Sequence, residues 1–230
     1  MRLLLLSNST NPGEDFLSYP AHAIQQFLGQ QVSTALFIPF AAVDISYDEY
    51  FEKVSTKFRE LGYNMKSIQG SDPRQLIKNA DAFVVGGGNS FALLHRIYEY
   101  EVLELIQQKV RSGTPYMGWS AGSNLACPTI KTTNDMPIIM PDSFDALNLI
   151  PFQINPHFTE KTIEGHGGES RTMRLKEFCI MNPNTFVIGL PEGTYLLIED
   201  DLLTFHGDKE YVIMKKHGLK RSSSPHPNLS

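Results

Sequence analysis

Cysteine is scarce. The 230-residue chain has two, Cys127 and Cys179, at a separation that fits no zinc pattern and builds no disulfide framework. Two buried thiols in a reducing compartment are the expectation. Long apolar runs are also lacking. Only four leucines (residues 3–6) follow Met1-Arg2, short of the roughly 7–15 residues of a signal-peptide core. No run approaches the roughly 20 apolar residues of a membrane span. Positive charge is in deficit, with 20 Lys and Arg against 25 Asp and Glu and a formal net charge of −5. A nucleic-acid binder carries the opposite balance, clustered on a face. A chain of this charge repels anions, so a site for an acidic substrate must bring its own local cation. H-E-x-x-H is absent, as are the Lys-Ser/Thr of a P-loop and G-x-G-x-x-G. The exclusions leave a cytoplasmic protein without membrane or nucleic-acid partner, and without an expected metal or cofactor.

What is present is globular: 41% hydrophobic and 20% charged residues. At this length about 70–75% of the unfolded surface is buried on folding, so no staple is needed. Short apolar runs alternate with amphipathic stretches. Residues 3–6, 35–40, 65–68, 82–85 and 115–118 read as strands. Ala21, Ile24, Phe27 and Leu28 form a helical stripe between Pro20 and Gly29. Tyr47, Tyr50, Phe51, Val54, Phe58 and Leu61 form a second stripe, closed by Gly62. A single long helix is expected over 90–110. Strand then helix, repeated, predicts an α/β fold with a mostly parallel central sheet and helices on both faces. Residues 134–155 are poor in helical pattern. Further strands follow at 186–190, 195–199, 202–205 and 211–214, some of them antiparallel. The expected organisation is one domain over 1–214 and a polar, frayed tail over 215–230.

The chemistry centres on Gly118-Trp119-Ser120-Ala121-Gly122. A serine in G-x-S-x-G between a strand and a helix is the nucleophile-elbow arrangement. The turn lifts the hydroxyl above the sheet edge, and the next helix aims its first amides at the reacting centre. Its bland counterpart is a tight turn capped by a serine. Gly86-Gly87-Gly88-Asn89-Ser90, between a strand and the long helix, reads as a phosphate cradle, an oxyanion hole or a plain turn. Beside a serine elbow, the oxyanion hole is the natural partner.

A serine nucleophile needs a base, and the base needs an orienting group. His157, in Asn155-Pro156-His157-Phe158, ends a strand-like run and is preferred over His166, which sits among glycines in Gly165-His166-Gly167-Gly168. Glu192 follows the strand at 186–190 and so falls at a strand's C-terminal end, where open parallel sheets bind ligands. If those strands run parallel in one sheet, Gly88, Ser120 and Glu192 share an edge. Asp135 is the rival acid, with an ordinary Asx turn as its alternative. The glycines of the 165–171 segment suggest a lid, and Arg171 and Arg174 offer planar forks suited to a carboxylate.

Taken in order, the leucine-rich first strand, GGGNS, GWSAGSN, INPHF, the GESR loop and LPEGTYL resemble the peptidase E family of bacteria over essentially the whole chain. The resemblance implies a flavodoxin-like sheet similar to the class I glutamine amidotransferases, with serine at the elbow where those enzymes carry cysteine. It implies a serine peptidase that releases N-terminal aspartate from Asp-X dipeptides. Carried over by position, Ser120 is the nucleophile, His157 the base and Glu192 the acid. The amides of Gly88 and Ala121 form the oxyanion hole, and Arg171, Asn89 and Asp135 contact the substrate. The order Ser, His, Glu differs from that of the α/β-hydrolases, so the elbow does not imply their fold. Other readings are a non-catalytic module holding a phosphate or carboxylate, and a hydrolase of aspartyl polymers.

Overall fold

The computed structural model describes residues 1–70, 72–162, 165 and 167–227. Its first strand, β1 (Leu3–Leu6), is four leucines, all fully buried. A strand apolar on both sides must be covered on both faces. Accordingly Leu3 and Leu5 join one core cluster, and Leu4 and Leu6 the other. The same period of two divides β2 (Thr34–Ile38) and β4 (Ala82–Val85): Leu36, Ile38, Phe83 and Val85 face one side, Ala35, Phe37, Ala82 and Val84 the opposite one. With β3 (Asn64–Ser67) and β5 (Tyr116–Trp119) they form a parallel array in the order β3-β2-β4-β5-β1.

Helices α1 (Ala21–Leu28) and α2 (Tyr47–Glu60) cover one face through Ile24, Phe27, Tyr50, Val54 and Phe58. The second face carries α3 (Pro73–Lys78), α4 (Ser90–Glu99), α5 (Leu103–Arg111) and α6 (Ala121–Leu125). Helices on both faces of a mainly parallel sheet are the arrangement the alternating pattern predicts. Antiparallel β8 (Tyr195–Glu199) and β9 (Leu202–His206) extend the sheet beyond β1 to seven strands.

A second sheet has four strands in the order β11-β10-β7-β6: β6 (Gln153–Asn155), β7 (Val187–Gly189), β10 (Tyr211–Lys215) and β11 (Gly218–Ser222). Within it β6 and β7 run parallel. Helix α7 (Arg171–Met181) packs Leu175 and Cys179 against Val187, Val212 and Met214. No helix among the described residues is long and apolar enough to cross a membrane.

Three features depart from expectation. The helix expected over 90–110 is two, α4 and α5. The amide of Glu101 donates to Tyr98 O and that of Val102 to Ile97 O, a Schellman ending with Glu101 at φ +51. Glycine usually marks such an ending, and its absence hid the break. The expected frayed tail is instead strand through Ser222, paired along β10, and Pro225 O accepts a hydrogen bond from Phe205 N. Finally, β7 lies in the second sheet, so Glu192 does not share a sheet edge with Gly88 and Ser120. Its chain crosses from β7 to β8 over residues 190–194 and carries Glu192 on the crossing.

At Gly122, helix α6 is pressed onto the sheet with no room for a side chain. A Cβ on Gly122 would lie 2.3 Å from Val85 O, and one on Gly118 2.5 Å from Gly122 O. Both obstacles are backbone and cannot swing aside. Gly122→Ala is therefore expected to cost about 1–3 kcal/mol or more of stability. A denaturant midpoint equal to that of the unsubstituted protein would show that the elbow helix does not need this approach.

Candidate active site

Ser120 stands between β5 and α6 at φ +52 and ψ −112, a conformation costly for any residue with a Cβ. Its neighbours hold it there. Its amide donates to Leu6 O at 3.2 Å, and its carbonyl accepts from Ser123 N and Asn124 N. The Ser123 hydroxyl is within hydrogen-bonding distance of both Leu6 O (2.7 Å) and Gly118 O (3.0 Å), tying the helix start to β1 and β5. Beneath the elbow, Trp119 Nε1 donates to the Tyr50 hydroxyl, which donates to Gly87 O at 3.1 Å. Burial holds that phenol well above the usual tyrosine range. The chain of bonds joins the serine turn to the glycine turn.

The glycine turn lies against the nucleophile, since a Cβ on Gly87 would come within 3.1 Å of Ser120 Cβ. Gly88 has φ +137, and a Cβ there would meet Ala41 O at 2.1 Å. Only glycine fits. Among the described residues, neither the Gly88 nor the Ala121 N–H has a hydrogen-bond acceptor. Two donors beside a raised serine hydroxyl can receive an anionic oxygen.

The Ser120 hydroxyl meets an imidazole. His157 Nε2 lies 2.9 Å from Ser120 Oγ, and His157 Nδ1 lies 2.8 Å from Glu192 Oε1. An ionised carboxylate only accepts, so Nδ1–H donates to Glu192 and Nε2 is left to accept from the serine. His157 and Glu192 are half-exposed, with 39% and 44% of their side-chain surface open to solvent. Each reaches the site from the second sheet: His157 two residues past β6, Glu192 three past β7. The parallel pairing of β6 and β7 is what brings the two together. It continues past the strand ends, where Phe158 N donates to Leu190 O and Leu190 N to Asn155 O.

Asp135, the rival acid, is not at the histidine. Its Oδ2 accepts from Ser90 N at 2.7 Å and from the Thr133 hydroxyl at 2.8 Å, so it holds the start of α4. Asn89 likewise faces inward. Its Oδ1 accepts from Phe91 N and Ala92 N as the N-cap of α4, and its Nδ2 donates to Met136 O. The side chain expected to contact substrate is thus bonded to the start of α4 and to Met136 O. His166 lies outside the described residues.

Arg171 opens α7 and donates through Nη1 to His157 O at 3.0 Å. Among the described residues it pairs with no carboxylate. Burial, and then the nearby Arg174 charge, lower its pKa. A half-buried guanidinium without a counterion is primed for an anion. It lines a cavity of about 240 Å3 together with Asp135, Asn155 and Arg174. No group of three or more His, Cys, Asp or Glu that could hold a metal ion occurs among the described residues.

Sequence reasoning missed Ser7 and Asn8, which touch both the His157 and Glu192 segments. It also missed Asn134, which donates through Nδ2 to Pro156 O and accepts from Asn155 Nδ2. The available signal was a pair of polar residues directly after an all-leucine strand.

Against known proteins, residues 3–205 match the model of peptidase family S51. The chain is 53% identical over 229 residues to a peptidase E of Nostoc sp., covering 99% of this chain and 95% of that one. It is 43% identical to a peptidase E of Haemophilus influenzae, covering 93% and 99%. The solved structure of a peptidase from an acI-B1 actinobacterium shares the fold, with TM-score 0.72 at 18% identity, over 97% of this chain and 94% of that one.

Cys127 ties the elbow helix to the base strand: Ile154 N, in β6, donates to its sulfur at 3.2 Å. Burial pushes its thiol up to about 12. A free cysteine, at about 8.5, gains nearly tenfold in thiolate per pH unit below its pKa. In native protein, alkylation mapped at Cys127 should be very slow at both pH 7 and pH 8, and become fast on denaturation. Rapid native labelling would show that this seam opens.

Proposed function

The chain belongs to peptidase family S51, and from that membership together with the contact series Ser120–His157–Glu192 we propose that it is a serine dipeptidase hydrolysing Asp-X dipeptides through an aspartyl-enzyme ester. The carrying observation is the unbroken pair of contacts, 2.9 Å and 2.8 Å, linking hydroxyl, imidazole and carboxylate.

Ser120 Oγ attacks the peptide carbonyl carbon while His157 Nε2 takes its proton. Glu192 orients the ring and stabilises the imidazolium that forms. The carbonyl oxygen, now anionic, accepts from the amides of Gly88 and Ala121, each donor being worth about 2.7–4 kcal/mol in comparable sites. As the C–N bond breaks, His157 protonates the departing amine, leaving an ester on Ser120. Water then attacks the ester by the same route and frees aspartate.

Selectivity follows from the cavity beside the base. Arg171 donates to the substrate's aspartyl carboxylate in a charge-assisted pair, offsetting a chain whose net charge opposes anions. Asp135, in the same cavity, has one oxygen committed to Ser90 and Thr133 and takes the substrate's ammonium with the other. An acid and a base lining one small cavity suit a free N-terminal aspartate better than a blocked or polymeric one.

Ser120→Ala is expected to lower kcat on the order of a million-fold, and a fluorophosphonate should label Ser120 in the unsubstituted protein. Near-normal turnover in that variant would refute the nucleophile. For selectivity, Asp-Leu, Asn-Leu and N-acetyl-Asp-Leu are compared side by side, with Asp-Leu the only good substrate expected. Arg171→Ala should weaken Asp-Leu cleavage by about 2–5 kcal/mol in kcat/KM. An unchanged preference for Asp over Asn would remove Arg171 from this role.

A further inference from the structure

Directly after β1 the chain buries two polar side chains, Ser7 and Asn8, 0% and 2% exposed. A hydroxyl and an amide taken out of water destabilise the fold unless each is hydrogen-bonded. The Ser7 hydroxyl donates to Leu190 O at 2.8 Å and accepts from His157 N at 2.8 Å. Asn8 Oδ1 accepts from Gly193 N at 2.8 Å, while its Nδ2 holds its own loop through Thr10 O and Asn11 Oδ1. One hydroxyl thus spans the base loop and the chain leading to the acid, and the next residue grips the far side of the acid.

We propose that Ser7 and Asn8 are positioning residues, which set the distance between His157 and Glu192 and between His157 and Ser120; the inference rests on the triad proposed above. His157 sits at φ +52, a strained state for a residue with a Cβ, which neighbouring contacts must hold. Its amide bond to Ser7 is one such contact. Glu192 lies between Leu190 and Gly193, both bonded to this pair. None of the Ser7 or Asn8 side-chain bonds is made to Arg171 or Asp135; Arg171 meets the His157 segment only at the carbonyl, on the far side of the residue from the amide that Ser7 holds. Loss of the pair should therefore harm the chemical step rather than substrate binding.

The test uses the full chain with Ser7→Ala, Asn8→Ala and Ser7→Cys, measuring kcat and KM on Asp-Leu, the melting midpoint, and the rate of Ser120 phosphonylation by a fluorophosphonate. Well below each midpoint, Ser7→Ala should lower kcat about 10–100-fold, the scale of a misplacement near 1 Å. KM should stay within about twofold, the signature of an interaction felt only in the transition state. Phosphonylation should slow in parallel. Asn8→Ala should show a smaller loss with the same split, and Ser7→Cys, with its weaker bond, should fall between. Unchanged kcat in Ser7→Ala while Ser120→Ala is inactive would overturn the inference and leave the triad standing. So would a loss that active-site titration traces to fewer competent molecules, each turning over at the original rate. Turnover by Ser120→Ala would instead remove the triad beneath both.

Discussion

The proposed catalytic line, Ser120–His157–Glu192, depends on two sheets meeting at a fixed distance. Ser120 comes from the large parallel sheet, His157 and Glu192 from the small one, and strand pairing within either sheet cannot set the gap between them. Hydrogen bonds across the junction can. The end of β1 supplies several at once: Leu6 O receives the Ser120 amide, the Ser7 hydroxyl holds the His157 amide and Leu190 O, and Ser7 N donates to Thr194 O. β1, buried along its whole length and paired on both sides, is a firm anchor for them. Leu6, Ser7 and Asn8, consecutive in the chain, bond to Ser120, to His157 and to Leu190 and Gly193 on either side of Glu192.

Around that anchor, small residues and strained ones divide the labour. Gly118 and Gly122 let backbones touch, so that the elbow helix starts close to β4 and β5. Ser120 and His157 take positive φ with side chains attached, and their hydroxyl and ring thereby face one another. The strain is local and its support is distant. Holding the groups in place beforehand in this way is what makes a half-exposed histidine and glutamate useful, since little needs to reorganise when charge develops.

Much of the fold was legible. Apolar runs gave the parallel strands, and helical stripes with capping glycines gave α1 and α2. The elbow, the glycine turn, His157 and Glu192 were all nameable from residue type and position. What stayed hidden had physical causes. The break between α4 and α5 uses Glu101 where glycine is the usual mark. Strand β11 is polar because it is an outer strand, and its pairing depends on β10 rather than on burial. Apolar composition says that 186–190 is a strand but not which sheet receives it, and so the shared edge expected for Glu192 was misdrawn. Asp135, the rival to Glu192, has its Oδ2 on Ser90 N, a pairing that residue type alone does not announce. Ser7 meets partners 150 and 183 positions away, contacts that no local pattern can encode.

The outer strands carry a further consequence. β3 ends one side of the large sheet and β11 one side of the small one. Both are short, and Lys66 sits in the former, Lys220 and Arg221 in the latter. Charged, abbreviated margins discourage another molecule from docking its own backbone there and growing an ordered polymer. The strands β4, β5 and β7, which lead to the glycine turn, Ser120 and Glu192, are each flanked on both sides, whereas β6, which leads to His157, is an outer strand. Self-association through exposed backbone is thus disfavoured at these two margins, β3 and β11.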